Sequence, residues 1–491
     1  MRSVPRRAIS RRAFLRGLGT GAGAIGLSSL TGGLVGCGSS DSPSANKIDT
    51  APPALSNLPW EHVIGGGEVL GKTTANSCTV HLLGGPDCYP SANFRVFYDT
   101  LSHRGDPDTR NYPYRSHKIS GFRDRDPIAF DLGSLSPSTR YFYRVGYEIG
   151  DTWVVRDEHS FHTRRRAGEA FRFCLTADTH VYPGFPTGVR DLVYKNVLAD
   201  GPDFLITLGD ECFVAGQGLI PYPYSSQETL WNTWQKTRSL LGNACHSMFY
   251  LPVNGNHEGL FGWTRENAVH QMILEGKLRS LPVPSSTTFP EGGDDYGRYG
   301  AFTWGDVLVI WLDVVGFCPV DPIRKGNDCS DYILGETQRA FLERTLADFS
   351  SLPWKFIMAH HLFGGIEECG RRYGRGNANA ALLHDQKDIQ DLMVEYGAQA
   401  FFYGHDHAFS VSRADGVSYV CAGHAASGCP WTETLEPCYW PYELYYTDAE
   451  AVVPGGHVRV DVTPSETVIS YIKASSGTDN GSVLSRYVIN A

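Results

Sequence analysis

Charge is scarce in this 491-residue chain: Asp, Glu, Lys and Arg make up 20% of it, against 42% hydrophobic residues. That balance excludes a chain disordered throughout, because there is ample apolar surface to bury. Glycine and proline are plentiful but follow no collagen-like period, and no internal repeat is present. No two cysteines stand at C-x-x-C spacing, which excludes the usual zinc-finger arrangements. The apolar stretch 18–34 is rich in Gly and Ser, a poor composition for a membrane span. Residues 1–37 lack any acid and carry Arg2, Arg6, Arg7, Arg11, Arg12 and Arg16; without these six the formal charge goes from −10 to −16. So acidic a body makes a poor nucleic-acid-binding surface, and no nucleic-acid partner is expected.

What the first residues do contain is an address. Ser10-Arg11-Arg12-Ala13-Phe14-Leu15-Arg16 is a twin-arginine export pattern, and Leu34-Val35-Gly36-Cys37 resembles a bacterial lipobox. Residues 1–37 are therefore expected to be a leader. The body would be exported to the periplasm or cell envelope and touch the membrane only through a lipid on Cys37. An anchor helix and an ordinary cleaved signal are the other readings. Residues 38–59, rich in Ser, Pro, Ala and Asn, read as a flexible tether. Beyond Cys37 eleven cysteines remain, an odd number that leaves at least one thiol free or paired between chains. Cys78 with Cys88, Cys318 with Cys329 and Cys429 with Cys438 are close enough to close small loops, which an oxidising compartment permits.

Residues 60–164 read as short strands with turn signals, clearest at 77–83, 92–98, 128–132, 141–147 and 160–163. The run from Leu135 to Tyr143 resembles the late-strand signature of fibronectin type III sandwiches, in which a tyrosine anchors a corner. From 168 to 491 strands alternate with helical periodicity. Strands are expected at 171–177, 204–208, 248–251, 308–312, 354–358 and 400–403, and two more at 458–462 and 468–472. Val189, Leu192, Val193 and Val197 share one helical face, and similar faces surround Phe341 and Ile389. The fold class is α/β.

Five segments, each just past an apolar strand, carry the chemistry: Asp178-Thr179-His180, Gly209-Asp210, Gly255-Asn256-His257-Glu258, His360-His361 and Gly404-His405-Asp406-His407. Parallel strands deliver such segments to one edge of a sheet. Taken singly each is ordinary turn or capping chemistry. Together Asp178, His180, Asp210, Asn256, His360, His405 and His407 make seven N/O donors, too many for one ion and suited to two sharing a carboxylate. Oxygen and imidazole donors fit zinc, manganese or iron without a thiolate. His361, beside His360, is expected to face the other way. His424 and His457 read as core or surface histidines, His424 being the better candidate for an outer contact.

As an ordered set, D-x-H, G-D, G-N-H-E, H and G-H-x-H resembles the calcineurin-like metallophosphoesterase superfamily over about residues 171–472. The preceding sandwich and the strand 299–306 resemble those of purple acid phosphatases. The resemblance implies a four-layer α/β/β/α sandwich over 168–491, preceded by an all-β fibronectin III-like sandwich over 60–164. It implies one metal on Asp178, His180 and His407, a second on Asn256, His360 and His405, and Asp210 bridging two divalent or mixed-valence ions. It further implies an acid-phosphatase-like hydrolase of small phosphomonoesters, in which a metal-bound hydroxide attacks phosphorus. His257 would act as electrostatic stabiliser or proton donor, with Asp406 or Glu258 orienting its ring. A phosphodiesterase or nucleotidase, and a catalytically silent envelope binding protein, are the alternatives. Two positions depart from the purple acid phosphatase pattern: Phe213 stands where those enzymes have an iron-ligating tyrosine, and their first motif lacks the histidine that stands here at His180, so ferric-tyrosinate chemistry is not expected. Arg371, Arg372 and Arg375, in the glycine-containing stretch 367–379, read equally as a phosphate clamp or a solvated loop. Nothing in the sequence bears on oligomeric state.

Overall fold

Apolar runs become strands where they were expected, and several further strands join them. The computed structural model describes residues 60–88, 92–181, 188–212, 227–259, 268–313, 334–361, 380–405, 407, 409–425 and 455–491. The leader, the tether, Phe213, the stretch 367–379, Asp406, Cys318, Cys329, Cys429 and Cys438 lie outside the described residues. The first part of the chain forms β1 (Val69–Gly71), β2 (Cys78–Leu83), β3 (Phe94–Asp99), β4 (Tyr114–Arg115), β5 (Pro127–Leu132), β6 (Arg140–Ile149), β7 (Thr152–Val155) and β8 (His159–His162). The middle forms β9 (Phe171–Thr176), β10 (Phe204–Thr207), β11 (Phe249–Pro252), β12 (Gly300–Trp304), β13 (Val307–Trp311), β14 (Trp354–Met358) and β15 (Ala400–Tyr403). The last part forms β16 (Phe409–Ala414), β17 (Val417–Ala422), β18 (Gly456–Val462), β19 (Glu466–Lys473) and β20 (Val483–Asn490).

Nine strands form one sheet in the order β20-β19-β18-β9-β10-β11-β1-β2-β5, and six form a second, β12-β13-β14-β15-β17-β16. β9, β10 and β11 are parallel and in register, with Thr176 beside Thr207 and Thr207 beside Pro252. β13, β14 and β15 are likewise parallel, so on each sheet the following loops emerge at one level. The two sheets meet through aromatic rings. Phe173 stacks on Phe204 at 4.9 Å and faces Phe356 and Phe402 of the other sheet, while Phe204 and Phe249 meet Phe302 and Trp304. Such pairs contribute about 0.5–1.5 kcal/mol each beyond the area they bury. On the outer face of the large sheet, helices Gly188–Asp200 and Gln227–Gly242 pack Val193, Val197, Trp234 and Leu241 over Cys174, Leu205 and Tyr250. On the other, helices Glu336–Asp348 and Ala380–Glu395 pack Phe341, Leu346, Ile389 and Met393 over Ile310, Ile357 and Phe401. The result is helix, sheet, sheet, helix.

Apart from single helical turns at Trp60–Val63 and Thr109–Asn111, residues 60–164 are all-β, but their strands do not close on themselves. β1 runs parallel to β11, with Leu70 beside Phe249, so β1, β2 and β5 extend the large sheet. β3, β4, β6, β7 and β8 form a separate small sheet. The Tyr141 hydroxyl accepts the Ser136 N–H at 2.9 Å, the corner expected from the Leu135–Tyr143 run. Arg238, fully buried, donates to the carbonyls of Ser280, Gly67 and His81 and so fastens β2 and the turn before β1 to helix Gln227–Gly242.

Two expectations need correction, and one hairpin was not expected. Cys78 and Cys88 are not paired: both are free, buried thiols, Cys78 accepting from Thr73 Oγ1 at 3.3 Å and Cys88 directed at the Phe122 carbonyl. Short spacing permitted that bridge, but β2 carries Cys78 into the core. The chain ends in three strands and not two: β20 pairs antiparallel with β19, Val488 beside Val468, and leaves Val483 and Leu484 exposed at its start. The hairpin β16–β17 was missed although Asp415-Gly416 at its tip, both at positive φ (48° and 84°), is a strong two-residue turn signal.

The small sheet meets the rest through a stacked pair, His159 on His246, with centroids 3.9 Å apart. Burial pushes both imidazoles down to about 4, and Arg156 beside His159 and His159 beside His246 add to this. An unfolded histidine takes up its proton near pH 6.5, so between pH 6.5 and about 4 the unfolded chain binds more protons and stability falls as the pH is lowered. The slope is up to about 1.4 kcal/mol per pH unit for each ring. Melting temperatures measured from pH 7 to 4.5 should show a flatter decline in a His159→Phe, His246→Phe double variant than in the wild type. An unchanged slope would remove this pair as a source of acid sensitivity.

Candidate metal centre

All five chemistry-bearing segments begin within three residues of a strand end, and the backbone turns sharply there. Asp178, His180, Asp210, His405 and His407 all have positive φ, between 49° and 70°, in a region that non-glycine residues rarely occupy. Each such residue costs on the order of 1–3 kcal/mol and persists only where its surroundings enforce it. Here the enforcement is mutual. The N–H groups of Asp178 and His180 donate to the carbonyls of Gly209 and Asp210, and the Gly404 N–H to the His360 carbonyl. The His405 N–H donates to Asp178 Oδ2, and the His257 N–H to Asp210 Oδ1, both at 2.8 Å. The motif glycines allow this closeness: a Cβ on Gly255 would collide with the Asp210 carboxylate, and one on Gly404 would stand 2.8 Å from the Ala177 Cβ.

The side chains converge accordingly. Asp210 Oδ2 lies 3.1 Å from His360 Nε2, 3.4 Å from His180 Nε2 and 3.7 Å from His257 Nε2. Asp178 Oδ1 lies 3.1 Å from His407 Nε2 and 3.7 Å from His180 Nε2. Asn256 Oδ1 is 3.0 Å from His360 Nε2. Thus Asp178, His180, Asp210, Asn256, His257, His360 and His407 come together, and His405 joins them through its contact with His360 at a ring separation of 5.2 Å. Donor atoms group as Asp178, His180 and His407; as Asp178, Asp210 and His360; as His180, Asp210 and His257; and as His360, His361 and His405. Asp210 reaches both sides of the cluster, the position a bridging carboxylate requires.

The chemistry of one nitrogen tests whether cations fit. His360 Nδ1 is 2.7 Å from the Leu208 carbonyl, which only accepts, so Nδ1 carries the proton. In the neutral ring Nε2 then holds a lone pair, aimed at two further acceptors, Asn256 Oδ1 and Asp210 Oδ2. Three lone pairs meeting at one buried point need a positive charge between them. In the protein alone a proton supplies it: burial pushes His360 down, but the Asp210 carboxylate outweighs this and lifts it to about 9. Burial would likewise push Asp210 up, yet His360, His257 and His180 hold it well below the carboxylate range. His180 is pushed down to about 4 by burial and stays neutral, as a ligand must. The residues fit two cations held by oxygen and imidazole.

Comparison with known proteins agrees. Residues 171–409 match the calcineurin-like phosphoesterase family model. The tartrate-resistant acid phosphatase type 5 of Oryctolagus cuniculus is 30% identical over 283 residues, covering 56% of this chain and 77% of that protein. The chain belongs to the calcineurin-like metallophosphoesterases. The Homo sapiens type 5 enzyme is 23% identical over 320 residues, covering 63% of this chain and 89% of its own. Among solved structures, purple acid phosphatase PPD1 from yellow lupin superposes with a TM-score of 0.57, at 16% identity over 86% of this chain and 74% of that one. PhoD superposes with a TM-score of 0.65, at 14% identity over 88% of this chain and 91% of its own. The phosphoesterase is a hydrolase of phosphoric esters, of a family built around a dinuclear metal centre.

Three features of this phosphoesterase were not foreseen. His361 does not face away: its ring lies 4.1 Å from that of His405 and 4.9 Å from that of His360. Strand alternation ends at Met358, so consecutive side chains past it no longer take opposite faces. Glu258 accepts from the backbone N–H groups of Asp210, Cys212 and Gly255 at 2.8–2.9 Å, so it clamps the two loops together and does not orient the His257 ring. Behind that turn the buried Lys277 amine donates to Asn254 Oδ1, and Asn254 donates to Asp313 Oδ2 at 2.9 Å. The available signal was a lysine on a helical face between Leu274 and Leu278. His424 is buried 6.1 Å from the His407 ring, and His457 is bonded to Asp200 as a core histidine.

Proposed function

We propose that this chain is an exported phosphomonoesterase in which Asp178, His180 and His407 hold one ion, Asn256, His360 and His405 hold the other, and Asp210 bridges them. The observation that carries this reading is the Asp210 carboxylate, within 3.4 Å of imidazoles on both sides of the cluster. Two ions held by these residues would supply an ionised water at neutral pH and positive charge for an in-line displacement at phosphorus. Likeness to tartrate-resistant acid phosphatases supports a small monoester as substrate. The twin-arginine pattern and Cys37 support export and lipid attachment; replacing Arg11 and Arg12 by lysine should leave precursor in the cytoplasm, and correctly exported protein would refute this.

The chain's own contribution is orientation and a proton. The donors are unequally exposed: the side chains of His180 and His257 are 18% and 14% exposed, whereas that of His360 is fully buried. Substrate therefore approaches from the His180–His257 side. The His257 backbone N–H is bonded to Asp210 Oδ1 and its ring Nε2 lies 3.7 Å from Asp210 Oδ2, which sets the ring at the rim beside the reacting centre. As negative charge builds on the leaving oxygen, an imidazolium there donates the proton a poor leaving group needs.

Replacing His257 by alanine should preserve metal content and cut turnover by roughly 10²–10⁴-fold on alkyl phosphates. The loss on 4-nitrophenyl phosphate, whose leaving group departs without a proton, should be much smaller. Equal losses on both would assign His257 to charge stabilisation, and loss of metal would make it a ligand. Wild-type preference for bis(4-nitrophenyl) phosphate over the monoester would contradict the monoesterase reading.

A further inference from the structure

The two sides of the centre are built differently. On the side nearer solvent, Asp178, His180 and His407 combine one carboxylate with two imidazoles, and Asp210 adds a second carboxylate. On the buried side three imidazoles, His360, His361 and His405, each place a ring nitrogen within 4.8 Å of the other two. His360 and His361 are fully buried, and no carboxylate belongs to that trio. The family pattern accounts for His360 and His405 and leaves His361 without a role. Three imidazoles brought together out of water have little to offer one another: their edge-on and tilted ring contacts gain modestly, and protonation of more than one is opposed by repulsion at short range. A shared cation turns the same arrangement into a favourable one.

We propose that His361 is an additional ligand of the buried-side ion, so that the two ions are held unequally. This rests on the dinuclear reading above. The buried side then has five protein donors, His360, His361, His405, Asn256 and Asp210. The solvent side has four, Asp178, His180, His407 and the shared Asp210. The buried-side ion is the tighter and slower to exchange. The solvent-side ion would have fewer protein donors and lie nearer the partly exposed His180. Donor type adds a second asymmetry: a nitrogen-rich set favours zinc over manganese or magnesium, while the carboxylate-rich set discriminates less.

Phenylalanine separates ligation from packing at position 361, because it retains an aromatic ring to lie against His405 and removes both nitrogens. The full-length protein, stripped of metal by chelator, is titrated with cobalt(II) in competition with a chromophoric chelator. Wild type should show two steps of different affinity. In His361→Phe the tighter step should weaken 10- to 100-fold and its cobalt absorption should change as a nitrogen donor is lost, while the weaker step is unmoved. Equal affinities in variant and wild type would overturn the proposal and leave His361 a packing residue. Equal weakening of both steps would overturn it too, as general loosening. Absence of cobalt binding in the wild type would instead sink the dinuclear reading itself. The melting temperature of the metal-free variant checks its fold; should that variant fail to fold, His361→Gln carries the same titration.

Discussion

A carboxylate removed from water and surrounded by imidazoles is the constraint on which this molecule turns. Asp210 is buried, and an isolated charge in such a place is costly enough that it would ordinarily be neutralised. It stays ionised because His360, His257 and His180 stand around it and because the His257 N–H donates to it. Its own N–H is held by Glu258, whose carboxylate also holds Gly255 and Cys212. Moving Asp210 would release the turn carrying Asn256 and His257, the partner of His360, and the loop register with β9 in one stroke.

The rest of the fold can be understood as what keeps that point in place. Five residues at positive φ store strain, together on the order of the net stability of a whole domain. The aromatic layer between the two sheets and the covering helices hold the strand ends rigidly enough to bear it. Between the sheets, Phe173, Phe204 and Phe249 fix the separation of the edges from which the donors project. The N-terminal strands contribute too, since β1 pairs with β11 directly below the Asn256 turn.

Much of this was legible in the sequence, for identifiable reasons. An apolar run that stops at a donor marks both a strand and a site, so the places of Asp178, Asp210, Asn256, His360 and His405 could be anticipated together. What could not be read depended on distant residues. No local period tells that Leu70 will lie beside Phe249, or that Cys78 will sit in a core away from Cys88. Alternation misled for His361, because it applies only within the strand. Buried polar partners such as Lys277 and Asp313 look like surface residues until packing encloses them. Asp415-Gly416 is different: the hairpin signal is local, a turn between β16 and a β17 that is buried along its whole length.

The central claim is that Asp210 joins two ions across one buried cluster, and metal stoichiometry addresses it most directly. Elemental analysis of wild type and Asp210→Asn, purified side by side and melted to check folding, is the measurement. The account predicts two ions per chain in the wild type, as a two-metal phosphoesterase requires, and at most one in the variant. A folded Asp210→Asn protein retaining both ions at full occupancy would contradict it.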